Sequence, residues 1–147
     1  MNANSAWARW LTFAGAIPFI ACSAALWLAP IQYRSFTVNI LTAYAAVILS
    51  FLGGIQWGMA VNLIDTAPKS ARNIFFLSVV PSLLAWAMLL LPEPKTRILV
   101  AIFLFAFVWV IDALLNVQKL IPPWFFKLRS IITAIVIASL AIAIPKA

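Results

Sequence analysis

The chain has 147 residues, of which 66% are hydrophobic and 9% charged, with a formal net charge of +7. Soluble domains carry about 45–50% apolar and about 25% charged residues, and a domain this small leaves much of its area exposed. A water-soluble fold is therefore excluded, and lipid must solvate most of the outer surface. The ten basic residues are scattered singly and in pairs between apolar runs. That is the placement of loop cations at anionic headgroups, not of a nucleic-acid surface.

The first apolar run covers about 10–29, after Arg9, and closes at Pro30 and Gln32-Tyr33-Arg34. It is too long for a signal-peptide core and is read as a retained helix. The second covers about 38–61, followed by a polar loop with Asn62, Asp65, Pro68, Lys69 and Arg72. The third is about 74–91, closed by a Pro92-Glu93-Pro94-Lys95 turn. The fourth is about 98–115, followed by Asn116, Gln118, Lys119 and Pro122-Pro123. The fifth is about 128–144, ended by Pro145 and Lys146. Each approaches the roughly 17–25 residues a helix needs to cross the hydrocarbon core. The runs lack strand alternation and are too few for a closed barrel. The expected fold is all-α: one transmembrane domain of five helices. Pro18 and Pro81 fall inside the first and third helices and predict kinks there.

Orientation follows the cations. With the N-terminus inside, the inner segments carry Arg9, Lys69, Arg72, Lys119, Lys127 and Arg129, and the outer ones Arg34, Lys95, Arg97 and Lys146. The bias favours a cytoplasmic N-terminus and an outer C-terminus.

Familiar catalytic machinery is missing. Cys22 is the single cysteine, histidine is absent, and the acids are Asp65, Glu93 and Asp112. This excludes an intrachain disulfide, His-ligated haem, the common zinc sites and Ser-His-Asp catalysis within the sequence. No catalytic or metal-binding residue is assigned, and no cofactor is named.

In helix two, Thr42, Ala46, Ser50, Gly54 and Gly58 recur every four residues and form a slowly drifting stripe of small side chains. Such stripes let helices approach closely in lipid. Ser50, Gly54 and Gly58 are expected to pack against a helix of this chain or of a second copy. Beside them lie Gln56 and Trp57, and Gln56 should point inward, because an unpaired amide in hydrocarbon is costly.

Asp112 is the one acid within an apolar run. Trp109, Asp112, Asn116 and Lys119 share a helix face by spacing. In an antiparallel bundle, Gln56, Trp57, Trp109, Asp112 and Asn116 near the inner ends of helices two and four meet Ser78 near the start of helix three. Arg129 and Thr133, near the start of helix five, fall in the same leaflet. These eight residues are expected either to form an inner-leaflet site for a ligand or partner, or to be a structural hydrogen-bonded cluster. The chain is also Trp-rich. Trp7, Trp10 and Trp124 suit one interface and Trp27 the other, whereas Trp57, Trp86 and Trp109 lie deeper.

The run Leu49-Ser50-Phe51-Leu52-Gly53-Gly54-Ile55-Gln56-Trp57-Gly58 resembles the central motif of a domain-of-unknown-function family that includes human transmembrane protein 69. Ile17-Pro18-Phe19, the segment from Ser78 through Pro81 to Trp86, Asp112, and the segment from Pro123 to Thr133 resemble its other motifs in order. Members commonly carry His where this chain has Gln56, so no imidazole chemistry carries over to that position. The resemblance implies a multi-span protein of bacterial inner membranes with mitochondrial relatives, and no established activity.

The function expected is non-enzymatic: binding of a hydrophobic, lipid-like small molecule, or packing as an accessory subunit of a larger membrane complex. Partners are the bilayer, such a ligand or complex, and potentially a second copy. A small transporter or channel component is one alternative, and a membrane-embedded enzyme is another. A transporter should show a polar path through both leaflets, whereas here the polar residues gather in one.

Overall fold

A computed structural model describes the backbone of residues 3–147 and the side chains from residue 6 onward. Six helices follow in order: α1 (Ala3–Ala14), α2 (Ile17–Leu28), α3 (Arg34–Leu63), α4 (Pro68–Leu89), α5 (Pro94–Val117) and α6 (Pro123–Ala143). Short 3-10 turns at Ile31–Tyr33 and Ile144–Lys146 flank α3 and end the chain. The described residues contain no strand. Among the described residues five segments are long and apolar enough to cross a membrane, with α1 and α2 together forming the first.

Three helix starts lie upstream of the apolar runs for one reason. Pro68, Pro94 and Pro123 open α4, α5 and α6. The first helical position has no intrahelical use for its N–H, and the fixed φ of proline suits it. These prolines belong to first turns and not to loops, and the helices extend past the apolar runs toward the interface.

The two expected kinks have different outcomes. The first span breaks at Gly15–Ala16, and Pro18 lies in the opening turn of α2. Proline has no N–H to return to the carbonyl of Ala14, so the ladder loses a bond at this point. The Tyr44 hydroxyl of α3 donates to the Gly15 carbonyl at 3.0 Å, satisfying an acceptor at the break. In contrast, α4 runs unbroken through Pro81, which is buried.

The bundle is centred on α3, which packs most extensively on α4 and also touches α2 and α5; α6 lies against α5 and α2. On α4 the buried positions are Ala71, Ile74, Ser78, Pro81, Ala85 and Met88. They alternate in steps of three and four, a narrow seam of the coiled-coil kind. Its closest point is at Gly53: a Cβ there would overlap the Ser78 carbonyl oxygen and lie 3.3 Å from Ser82 Oγ.

Of the two partners open to the stripe, a helix of this chain and one of a second copy, this chain does not supply the first for its later members. Ser50, Gly54 and Gly58 are exposed, and a Cβ on either of those glycines would meet nothing within 4 Å. Within this chain the close contact is made by Gly53, one position off the stripe.

Two apolar clusters fill the interior. The larger gathers Phe19, Leu41, Leu49, Leu104, Phe105 and Leu140 among others. The smaller joins Ala60, Ile74, Ile111, Leu115 and Ile121 at the end of the bundle that holds the starts of α4 and α6. Outside, large side chains such as Phe36, Phe51, Phe76, Trp86 and Phe103 are more than 60% exposed, the surface of a protein solvated by lipid. Lipid tails are as apolar as these side chains, so contacts and interhelical hydrogen bonds hold the helices together. Ser23 Oγ donates to the Ser139 carbonyl at 2.7 Å and Trp27 Nε1 to the Ile142 carbonyl at 3.0 Å, both joining α2 to α6. Lys146 Nζ stands 4.6 Å over the Trp27 ring.

Candidate functional site

Gln56 follows Leu52 of the large core cluster and precedes Ala60 of the small one; Asp112 likewise falls between Val108 and Leu115. The polar residues therefore mark the level at which one core gives way to the other. Counting about 1.5 Å per residue from the nearest helix end, Gln56, Asp112 and Arg129 all lie about 8–11 Å in. Those ends belong to one side of the bundle because α3 and α5 run against α6.

At that level the three side chains meet. Arg129 Nε pairs with Asp112 Oδ2 at 3.0 Å, and Gln56 Nε2 donates to Asp112 Oδ1 at 3.1 Å. Their residues are 7%, 4% and 1% exposed, respectively, so this is a buried ion pair with an amide closing its second oxygen. The carboxylate is matched on both oxygens. The other two members are not: Arg129 Nη2 and Gln56 Oε1 have no hydrogen-bond partner. Thr133, one turn beyond Arg129 on α6, is 5% exposed, and its Oγ1 is also without a partner.

Arg129 and Thr133 line a cavity of about 200 Å³. Its inner wall includes Phe19 of α2 and Phe105 of α5, both buried. Leu11 of α1 and Phe51 of α3 also line it, and these are 73% and 63% exposed on the outside of the bundle. The cavity thus runs from the bundle interior sideways to the lipid-facing surface. Such a shape suits a ligand that enters from the membrane, with apolar walls for its body and a few polar groups to orient it. The break between α1 and α2 borders the same cavity, since Thr12 and Gly15 belong to its wall.

Of the eight residues expected to share a site, Gln56, Asp112 and Arg129 are hydrogen-bonded together, and Thr133 joins Arg129 at the cavity. Four lie apart. Trp57 is 49% exposed and packs edge-on against Phe75 at 4.6 Å between centroids. Ser78 is buried but faces the α3–α4 seam, its hydroxyl donating to the Phe75 carbonyl at 2.8 Å. Trp109 turns to α6, donating to Ser130 Oγ at 2.9 Å and stacking on Phe126. Asn116 is half-buried and lines a separate depression with Lys119 and Pro122. Trp109 and Asn116 lie about one turn on either side of Asp112 on α5 and meet different neighbours there, whereas Trp57 points away from Gln56 on α3 and Ser78 belongs to the α3–α4 seam.

Leu11, Phe51, Phe105 and Ile132 were not singled out from sequence, because each is an ordinary apolar residue within an apolar run. Thr12 in the cavity wall and Ser130 beside Arg129 were polar signals overlooked. Among the described residues no three His, Cys, Asp or Glu side chains come together to hold a metal ion.

The profile of the family described as "Protein of unknown function (DUF3429)" matches residues 4–145, nearly the whole chain. The chain belongs to this family. It is 33% identical to Transmembrane protein 69 of Xenopus tropicalis over 133 residues, covering 90% of this chain and 51% of the frog protein. Against Transmembrane protein 69 of Mus musculus it is 28% identical over 137 residues, covering 93% of this chain and 55% of the mouse protein. The chain thus spans about half the length of the curated relatives it matches. No solved structure matches it. The relatives' names and the five apolar helices agree on a membrane protein, and the DUF3429 family brings no assigned chemistry to the Gln56–Asp112–Arg129 cluster.

Proposed function

We propose that this protein binds one lipid-like molecule in the lateral cavity between α1, α2, α3, α5 and α6, as a binding protein and not an enzyme. The observation that carries the reading is a largely apolar cavity that reaches the lipid-facing surface and is lined by Arg129 and Thr133, whose Nη2 and Oγ1 have no partner. Buried polar groups are normally satisfied, so two unpartnered ones on residues that line one cavity favour an occupant that supplies acceptors. The far half of the interior is the large apolar cluster, which favours a pocket in one leaflet over a polar path through both. The cation distribution supports an N-terminus on the cytoplasmic side, and the family likeness supports a bacterial inner membrane.

The test is native mass spectrometry of the protein purified in mild detergent, compared with Ile55→Trp. Ile55 lines the cavity and is half-buried, so the indole should fill the space without touching the ion pair. A co-purifying small molecule should be present in the wild type and absent from the folded variant. The same bound species in both proteins would exclude this cavity as the site.

A second reading rests on a separate feature. The exposed Ser50, Gly54 and Gly58 of α3 are suited to a close helix contact with another chain, either a second copy or a larger complex. Loss of a cross-linked dimer or complex in Gly54→Leu, with the fold intact, is the outcome that supports it.

A further inference from the structure

We infer that the cavity selects a ligand whose head is a neutral hydrogen-bond acceptor of the carbonyl type, and discriminates against carboxylates. This rests on the cavity being a binding site, and it follows from the charge balance beside it. A guanidinium facing a cavity ordinarily suggests an anion. Here the Arg129 charge is already matched by Asp112 at 3.0 Å, and both side chains are at least nine-tenths buried. A carboxylate entering beside them would give the cluster a net negative charge away from water, and stripping a lipid anion of its hydration costs several kcal/mol before any contact is made. A cationic head is disfavoured by Arg129 itself, which contributes only donors to the cavity.

What the cluster still offers is a donor. Asp112 occupies Arg129 Nε, whereas Arg129 Nη2 and Thr133 Oγ1, one turn apart on α6, are buried without a partner on residues that line the cavity. Donors from adjacent turns of one helix can converge on one oxygen with two lone pairs, as in a ketone, a quinone or an ester. Size limits the rest. At about 200 Å³ the cavity is smaller than the roughly 300–1,000 Å³ of pockets that enclose whole drug-sized ligands. The head should therefore sit inside while the chain leaves between Leu11 and Phe51 into the bilayer.

The experiment measures one-to-one binding to the delipidated full chain in mild detergent, by native mass spectrometry and thermal unfolding. The probes are four twelve-carbon-chain compounds: 2-dodecanone, methyl dodecanoate, dodecanoate above its pKa, and dodecane. The ketone, the ester or both should bind more tightly than dodecanoate and dodecane. Preference for the ketone points to a free ketone- or quinone-type ligand, and preference for the ester to an acyl lipid. Thr133→Val should weaken the preferred carbonyl probe by about three- to tenfold, the worth of one hydrogen bond, with dodecane unchanged and Thr133→Ser restoring it. Dodecanoate binding as tightly as the carbonyl probes, or dodecane doing so, would overturn the neutral-acceptor inference while leaving the cavity a site. Absence of binding by all four, with the protein folded, would overturn both.

Discussion

Asp112→Asn separates an ion pair from a mere hydrogen-bonded knot. Were Asp112 only a hydrogen-bonding centre, its amide would be a mild replacement. The structure argues otherwise. Both carboxylate oxygens accept, one from Gln56 Nε2 at 3.1 Å and one from Arg129 Nε at 3.0 Å. An amide keeps one acceptor and turns a donor toward one of those two donors, so a charge-assisted bond of about 1.5–3 kcal/mol is lost. The Arg129 guanidinium, with its side chain 8% exposed, then lacks a counter-charge. Removing one partner of a buried pair costs about 3–5 kcal/mol. Because the amide retains one acceptor for its neighbours, the lower end, about 3 kcal/mol, is expected. The assay is reversible unfolding in mixed micelles, followed by Trp fluorescence. In Asp112→Leu/Arg129→Met the two losses should not add, since replacing both charges with apolar side chains of similar bulk is often neutral or stabilising. Asp112→Asn as stable as wild type, or a double variant as unstable as the sum of its singles, would refute the assignment of a buried pair.

Other outcomes follow from packing, backbone geometry and charge. Gly53→Ala should destabilise the protein by about 1–3 kcal/mol through overpacking against Ser78. Gly54→Ala should be neutral or slightly stabilising, and equal effects on melting in the same micelles would contradict the assigned seam. Lys119 has φ 57°, with the Leu120 N–H bonded to the Leu115 carbonyl and the Lys119 N–H to the Asn116 carbonyl. This is a Schellman cap in a position that favours glycine. Lys119→Gly should raise stability by about 1 kcal/mol in chemical unfolding, and a loss of stability would show that the Lys side chain outweighs the backbone strain. In a Cys22→Ala background, an impermeant thiol reagent applied to intact cells should label Lys95→Cys and spare Lys69→Cys. The opposite pattern would reverse the orientation proposed from the cations.

The apolar runs were legible because a predominantly apolar stretch of about 17–25 residues admits one solution in lipid, a helix with its backbone bonds satisfied internally. The helix starts were less so. Proline is read as a stop by its missing donor, yet the first turn does not need that donor, and Pro68, Pro94 and Pro123 each open a helix. The small-residue stripe does not keep to one side of its helix. Steps of four residues advance about 40° beyond a full turn, so five members sweep about 160° around α3. Thr42 and Ala46 end inside while Ser50, Gly54 and Gly58 end outside. Gly53, off the stripe, meets α4. In the cluster, Asp112 and Gln56 stood out as polar residues in apolar surroundings, but their pairing could not be read. Asp112 and Arg129 are 17 positions apart, and Gln56 and Asp112 are 56 apart. The cavity left no sequence signal, because its walls are the same leucine, isoleucine and phenylalanine that fill the core.

The position of the ion pair bears on why it exists. As a structural device it would be an expensive one, since apolar side chains of equal volume would join α5 to α6 with no charge to desolvate. A purely structural cluster should also be closed, with every donor and acceptor used. This one is closed at both Asp112 oxygens and open at Arg129 Nη2 and Gln56 Oε1, and of these two residues Arg129 lines the cavity. That asymmetry is what a polarised donor needs: Asp112 and Gln56 fix the guanidinium through Nε and balance its charge, leaving Nη2 available with little reorganisation. The Asp112→Leu/Arg129→Met variant therefore distinguishes the two accounts in one protein. If the pair serves the fold alone, the folded variant should retain whatever small molecule accompanies the wild type. If the pair serves the cavity, the variant should melt at or above the wild-type temperature and carry no such molecule, because Thr133 alone offers too little to hold it.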